Sequence, residues 1–149
     1  MTVNYSSEKA IQILIALLKK HGIKKVIACP GGTNMMLNAN LMYDGSFEMY
    51  SCDDERSAAY MATGLCEESG EPVMITCTGA TASRNFMSGL TEAFYRKLPI
   101  LVVTGQQDYR RQGNLHDQII DRSVVPNDIV KSSVYIQLVR DAKDEQNVT

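Results

Sequence analysis

Apolar positions along the chain switch repeatedly between helical and strand spacing. Ala10, Ile13, Leu14, Leu17 and Leu18 fall on one helical face. Ser6 or Ser7 can cap this first helix, which has Glu8 in its first turn and Lys19, Lys20 and His21 at its end. Gly22 stops it near residue 20. Residues 23–29 form an apolar, β-branched run that Pro30-Gly31-Gly32 breaks, and Thr33 or Asn34 can cap a second helix to about residue 42. After an Asp44-Gly45 turn, residues 47–52 read as a second strand. A third helix is predicted over 54–68 and a third strand over 73–78. The small-residue turn Gly79-Ala80-Thr81-Ala82-Ser83 then leads into a fourth helix to about residue 96. Residues 100–104 are the most β-rich apolar run. A polar loop follows over 105–114, then a short helix near 115–121 and a strand or helix near 130–136. The tail over 141–149 is polar and charged.

Strands that alternate with helices predict an α/β domain with a doubly wound, three-layer parallel sheet. The strands are nearly continuous apolar runs, as expected for a sheet covered on both faces. Ligands bind such sheets beyond the carboxyl ends of the strands. Pro30-Gly31-Gly32, Asp53-Asp54-Glu55, the 79–83 turn and Gly105-Gln106-Gln107 each follow a strand. All four are therefore expected on one edge, and that edge is the candidate site.

Composition narrows the classes. A chain of 149 residues suits one domain with its own core. A net charge of −2 favours neither nucleic acid nor an anionic membrane. The apolar runs are too short or too interrupted to span a bilayer. The first five residues lack the features of a signal peptide, so the cytosol is the expected compartment. Cys29, Cys52, Cys66 and Cys77 form no CxxC pair, and His21 and His116 belong to no ligand motif. No metal site is expected, and the cysteines read as buried, reduced thiols. Met35, Met36, Met61 and Met87 read first as core packing and second as part of an apolar surface left for a partner.

Candidate chemistry concentrates on Glu55. The chain has no Walker-type phosphate loop, no GxGxxG after the first strand and no evident Ser–His–acid set. The 79–83 turn reads as an ordinary strand-to-helix turn or as a site presenting N–H groups to an anion. Glu55 opens a helix of small and apolar residues and is expected to be buried. It reads equally as a helix-dipole carboxylate or as a group that exchanges a proton with a ligand nitrogen.

Pro30-Gly31-Gly32, Asp54-Glu55 and the run from Ala58-Ala59-Tyr60 to Gly64 resemble the pyrimidine-binding domain of thiamine-diphosphate enzymes of the acetolactate synthase and pyruvate oxidase group. Asn85-Phe86-Met87-Ser88-Gly89 and Leu98-Pro99-Ile100 through Gly105-Gln106 extend the likeness, which runs in order from about residue 8 to 133. It implies that Glu55 hydrogen-bonds N1′ of the aminopyrimidine. The imino tautomer this favours removes the C2 proton, so that the cofactor can attack a 2-keto acid. It also implies a cofactor-binding set of Pro30, Gly31, Glu55, Thr81, Ala82, Asn85 and Gln118.

Three departures stand out. Thr81 replaces the family's Pro, Ala80 and Ala82 replace two Gly, and Asp54 stands where His is frequent. They put an acetolactate substrate in doubt and resemble a divergent branch serving sugar or polysaccharide biosynthesis. The Gly-Asp-Gly and Asn-Asn signature that holds Mg²⁺ and diphosphate in the family does not occur. The resemblance therefore implies half a site: residues 1–140 as the pyrimidine-binding domain, 141–149 as the start of a linker, and a diphosphate-binding domain as partner. A homo-oligomer is expected. The competing readings are a non-catalytic regulatory or scaffolding module that keeps the fold, and an unrelated α/β domain that binds an anion at the 79–83 turn.

Overall fold

The computed structural model describes residues 6–107, 111–116 and 118–148. In chain order the elements are α1 (Lys9–Lys20), β1 (Lys25–Ala28), α2 (Met35–Asp44), β2 (Glu48–Ser51), α3 (Glu55–Ser69), β3 (Val73–Cys77), α4 (Ala80–Asn85), α5 (Met87–Tyr95), β4 (Ile100–Thr104) and α6 (Ala142–Val148). The four strands are parallel, in the order β2-β1-β3-β4.

The pleat sorts the strand side chains into two cores. Ile27, Cys29, Val73, Ile75 and Cys77 meet Ala58, Ala59, Ala62 and Cys66 of α3, together with Phe86. Val26 and Met74 face the other way, onto Ile15 and Leu18 of α1 and Leu37 and Leu41 of α2. This is the doubly wound, three-layer arrangement expected from the alternating elements. Right-handed crossovers account for it. The step from β1 to β2 runs outward in one direction, and the steps to β3 and β4 run in the other, so α2 lies on the face opposite α3 and α5. The strand order therefore reverses between β1 and β3, where a crevice opens beyond the strand ends.

Small residues set the spacing on the α3 side. A Cβ at Gly89 would lie 2.5 Å from Ala59 Cβ and 2.9 Å from its carbonyl carbon, so α5 packs almost directly on the α3 backbone. Phe86, fully buried, stands between α4 and α5. Its N–H donates to Ser83 O at 3.3 Å, a tightened turn that divides the single helix predicted here into two.

Other expectations need correction. Helix α1 begins at Lys9, with Glu8 at the capping position and no side-chain cap; Ser6 Oγ instead accepts from Glu8 N–H. No helix forms near 115–121 among the described residues, because Gly113 (φ 80°) and Gln118 (φ 51°) adopt left-handed backbone. Residues 130–136 form neither strand nor helix, and Val134 is 83% exposed. Within the polar tail, residues 142–148 form α6, where Asp141 Oδ1 accepts from the N–H groups of Lys143 and Asp144. Lys9 on α1 pairs with Glu145 of α6 at 2.9 Å.

The methionines expected in the core lie outside it. Met35 is 63% exposed and Met61 45%, and Met36 and Met87 are exposed as well. All four cysteines are free; Cys29, Cys66 and Cys77 are buried, whereas Cys52 is only half-buried. Among the described residues, no helix is long and apolar enough to cross a membrane.

Candidate functional site

The parallel strands deliver all four singled-out turns to one edge, and hydrogen bonds tie them together. Asn34, which is buried, fixes the first turn: its Oδ1 accepts from Gly31 N–H at 2.8 Å and its Nδ2 donates to Cys29 O at 3.0 Å. The same Nδ2 reaches Thr76 Oγ1 on β3 at 3.3 Å. Gly31 packs closely on Thr78: a Cβ there would fall 2.3 Å from Thr78 Cγ2, so any larger residue would force the threonine side chain to turn. Thr33 Oγ1 donates to Gly105 O at 2.7 Å and so links the turn after β1 to that after β4.

Glu55 is the first residue of α3, and Asp54 is its cap. Asp54 Oδ1 accepts from Ser57 N–H at 2.7 Å, and hydrogen bonding by the Ser57 side chain, with this backbone bond second, holds the Asp54 carboxyl below its ordinary range. The capping task is thus met without Glu55. Its Oε2 instead accepts from Asn85 Nδ2, at a long 3.5 Å. The burial expected of Glu55 is not found; it is half-buried at the open end of its helix. Its charge reaches the ends of both β1 and β3. Burial pushes the Cys29 and Cys77 thiols up to about 12, and Glu55 adds to the rise at each. Glu55 thus opens α3 after β2 and faces Asn85 at the end of α4.

A second cluster lies alongside. Thr81 Oγ1 donates to Gln118 Oε1 at 2.7 Å. Thr81, Ala82 and Gln118 line a cavity of about 210 Å³, together with Thr33, Gln106 and Ile119 among others. Arg122 braces its rim, with Nη2 donating to Gly79 O at 3.1 Å and to Ser83 Oγ at 2.7 Å. Burial draws the Arg122 guanidinium below its ordinary value. Pro30, Gly31, Glu55 and Asn85 are not in this cavity's lining. The expected residues thus form two adjoining groups on one edge. A broader open groove of about 670 Å³, lined by Arg56, Ser57, Tyr60, Met61 and Ser88, follows Glu55 along α3 and α5.

Sequence reasoning missed Asn34 as the fastener of the first turn, along with Arg122 and Ile119. An Asn just after a Gly-Gly turn is a weak local signal, because such side chains often bond nearby backbone. Arg122 and Ile119 reach the site through an irregular segment whose path has no periodic signature.

Residues 8–125 match the family described as "Thiamine pyrophosphate enzyme, N-terminal TPP binding domain". The chain belongs to this family. Over 141 residues it is 36% identical to proteins of Phocaeicola vulgatus and Bacteroides thetaiotaomicron, each named 2-succinyl-5-enolpyruvyl-6-hydroxy-3-cyclohexene-1-carboxylate synthase. The matches cover 95% of the chain and 25% of each relative, so the chain spans about a quarter of their length. Among solved structures, the fold resembles the 4-hydroxybenzoylformate decarboxylase of Rhodococcus jostii RHA1, with a TM-score of 0.68 and 23% identity over 76% of this chain and 21% of that one. It also resembles a benzoylformate decarboxylase from Polynucleobacter necessarius, with a TM-score of 0.62 and 24% identity over 68% of this chain and 19% of that one. The thiamine-enzyme family and the three-layer fold expected from the sequence are thus both found. The relatives carry this synthase name rather than that of acetolactate synthase.

Proposed function

We propose that this domain supplies the pyrimidine side of a thiamine diphosphate site in an enzyme acting on a 2-keto acid, with Glu55 as the catalytic group that meets ring N1′. The supporting observation is the division of labour at α3: Asp54 caps the helix, and the Glu55 carboxyl stands beside Asn85. When bound, thiamine diphosphate supplies an electron sink for the bond broken next to the keto carbonyl.

The residues present fit that group. Glu55 can hold or release a proton at a ring nitrogen, and Asn85, donating to Oε2, orients its carboxyl. Gly31, held by Asn34 and packed closely against Thr78, fixes the backbone of the first turn beside Pro30, against which a flat ring would rest. Thr81, Ala82 and Gln118 wall the adjoining space for the cofactor or its substrate.

The diphosphate and its Mg²⁺ belong, in this reading, to a separate domain, in keeping with a chain that spans a quarter of its relatives' length. Tyr60 and Met61, 49% and 45% exposed beside Glu55, form the face which that domain or a second copy covers. The cytosol is the proposed compartment, where four free thiols stay reduced.

Amide-resolved titration of the chain with thiamine tests the reading. Saturable shifts should centre on Gly31, Glu55 and Asn85, and Glu55→Ala should raise the thiamine concentration needed for them about tenfold. Shifts elsewhere, or shifts unchanged in the variant, would refute it.

A further inference from the structure

We propose that Arg122 is a positioning residue: it clamps the first turn of α4 and so holds the two groups of the site in register with each other. The proposal rests on the reading of this edge as a thiamine site and adds to it a residue outside the cavity's described lining.

Helix α4 serves both groups. Thr81, on its first turn, donates to Gln118 Oε1 at the cavity wall, and Asn85, at its end, donates to Glu55 Oε2. The helix is weakly held from within. It has six residues, and Gly79 at its capping position supplies no side-chain bond. The bond from Ser83 N–H to Gly79 O is 3.3 Å long, as is that from Phe86 N–H to Ser83 O. A helix this short does not persist on its own bonds.

Tertiary contacts must therefore hold it. Phe86, fully buried, pins the far end. Arg122, half-buried in the segment after β4, holds the near end. Its Nη2 donates to Gly79 O at 3.1 Å and to Ser83 Oγ at 2.7 Å. Ser83 is buried and carries the link onward, its Oγ donating to Ala80 O at 3.2 Å. One guanidinium nitrogen thus spans the first turn from Gly79 to Ser83. Bonds from a cation are about twice as strong as neutral ones. The two contacts of Asn85, to Glu55 and to Thr81 O, are each 3.5 Å, the outer limit of hydrogen bonding. Arg122, rather than Asn85, therefore fixes where the turn stands.

Without the clamp, the turn leaves its place for part of the time. A ligand that needs Asn85 beside Glu55 then binds only the fraction still in place. Its apparent dissociation constant rises by the inverse of that fraction, and the bound state is unchanged.

The test is an amide-resolved thiamine titration of the full 149-residue chain and its variants. Arg122→Met, which keeps an apolar stem, should raise the half-saturating concentration about tenfold, the factor for a competent fraction near one-tenth. Saturating thiamine should restore the wild-type pattern at Thr81 and Asn85. Arg122→Lys should recover part of the loss, since it keeps the charge without the planar fork. The effect should also be masked where Asn85 is already gone: on an Asn85→Ala background, Arg122→Met should cost less than about threefold. Equal losses on both backgrounds, or an unchanged affinity in Arg122→Met, would overturn the proposal. Ser83→Ala, which removes one acceptor of the clamp, should weaken thiamine in the same direction; unchanged affinity there would overturn it even if Arg122→Met does not fold. Ligand-free spectra separate the two claims. Nuclear Overhauser contacts of Asn85 with Glu55, and of Thr81 with Gln118, should weaken together in Arg122→Met and in Ser83→Ala. If they do so while the wild-type chain binds no thiamine, the thiamine reading falls and the clamp stands; if they persist unchanged, the clamp falls.

Discussion

Asp54 and Glu55 are adjacent carboxylates with different tasks. The first closes a helix end; the second is left over, beside Asn85 on the edge where the turns after the strands gather. The Asp-Asp-Glu run announced this only in part. Pattern alone placed Glu55 at a helix start on the ligand edge, yet it also predicted burial, because the next turn of α3 is buried alanine. The helix end itself projects past the sheet and stays half open. Asn34 shows the opposite failure: two of its three bonds go to nearby backbone, a common habit of asparagine, and only the third, to Thr76, depends on a partner that the fold brings near. The two thiols at the ends of β1 and β3 give a residue-scale prediction. Both are raised from 9.0 to about 12 in the folded chain, so the unfolded chain releases their protons first as pH rises. Stability should therefore fall between those values, by about 1.4 kcal/mol per pH unit for each thiol. Urea unfolding at pH 8 and pH 10 should show the decline, and Cys29→Ala with Cys77→Ala should flatten it. An equal decline in the double variant would contradict the assignment.

At the scale of elements, α3 and α5 carry the geometry that places Glu55 against Asn85. Their contact depends on the missing Cβ of Gly89. Gly89→Ala should destabilise the domain by about 1–3 kcal/mol through overpacking against the Ala59 backbone. Gly64, on the exposed side of α3 where an added Cβ would meet only open space, should respond with the opposite sign. Gly64→Ala should stabilise by about 0.8–1 kcal/mol through helix propensity. Thermal melts of both variants decide it; two shifts of the same sign would refute the packing account. From α1 to β4 the elements were legible, apart from the split between α4 and α5, because strand and helix periods differ and several ends carry a stop signal, such as Gly45 and Gly70 in left-handed caps. Beyond β4 the signals conflict. The β-prone residues 134–136 have no neighbouring strand to pair with, and Gln118 takes a backbone turn that its residue type does not announce.

For the whole molecule, the decisive feature is incompleteness of surface rather than of core. Both faces of the central strands β1 and β3 are covered, and Phe86, Leu41 and Met74 are fully buried. Met35, Met36, Tyr60, Met61 and Tyr95 nevertheless remain exposed on the helices around the site. Their exposure was not legible, because methionine at helical spacing looks the same whether it meets a core or a partner. The chain alone should associate into dimers or larger species; light scattering that gives a clean monomer at high concentration would contradict this. The central claim, that this chain holds the pyrimidine end of thiamine diphosphate and nothing of the diphosphate end, is tested most directly by calorimetry on the isolated chain. Thiamine and thiamine diphosphate should bind with equal affinity, Mg²⁺ should change neither, and Glu55→Ala should weaken both about tenfold, the scale of one charge-assisted hydrogen bond. Binding that requires the diphosphate and Mg²⁺, or that ignores the loss of Glu55, would contradict the account.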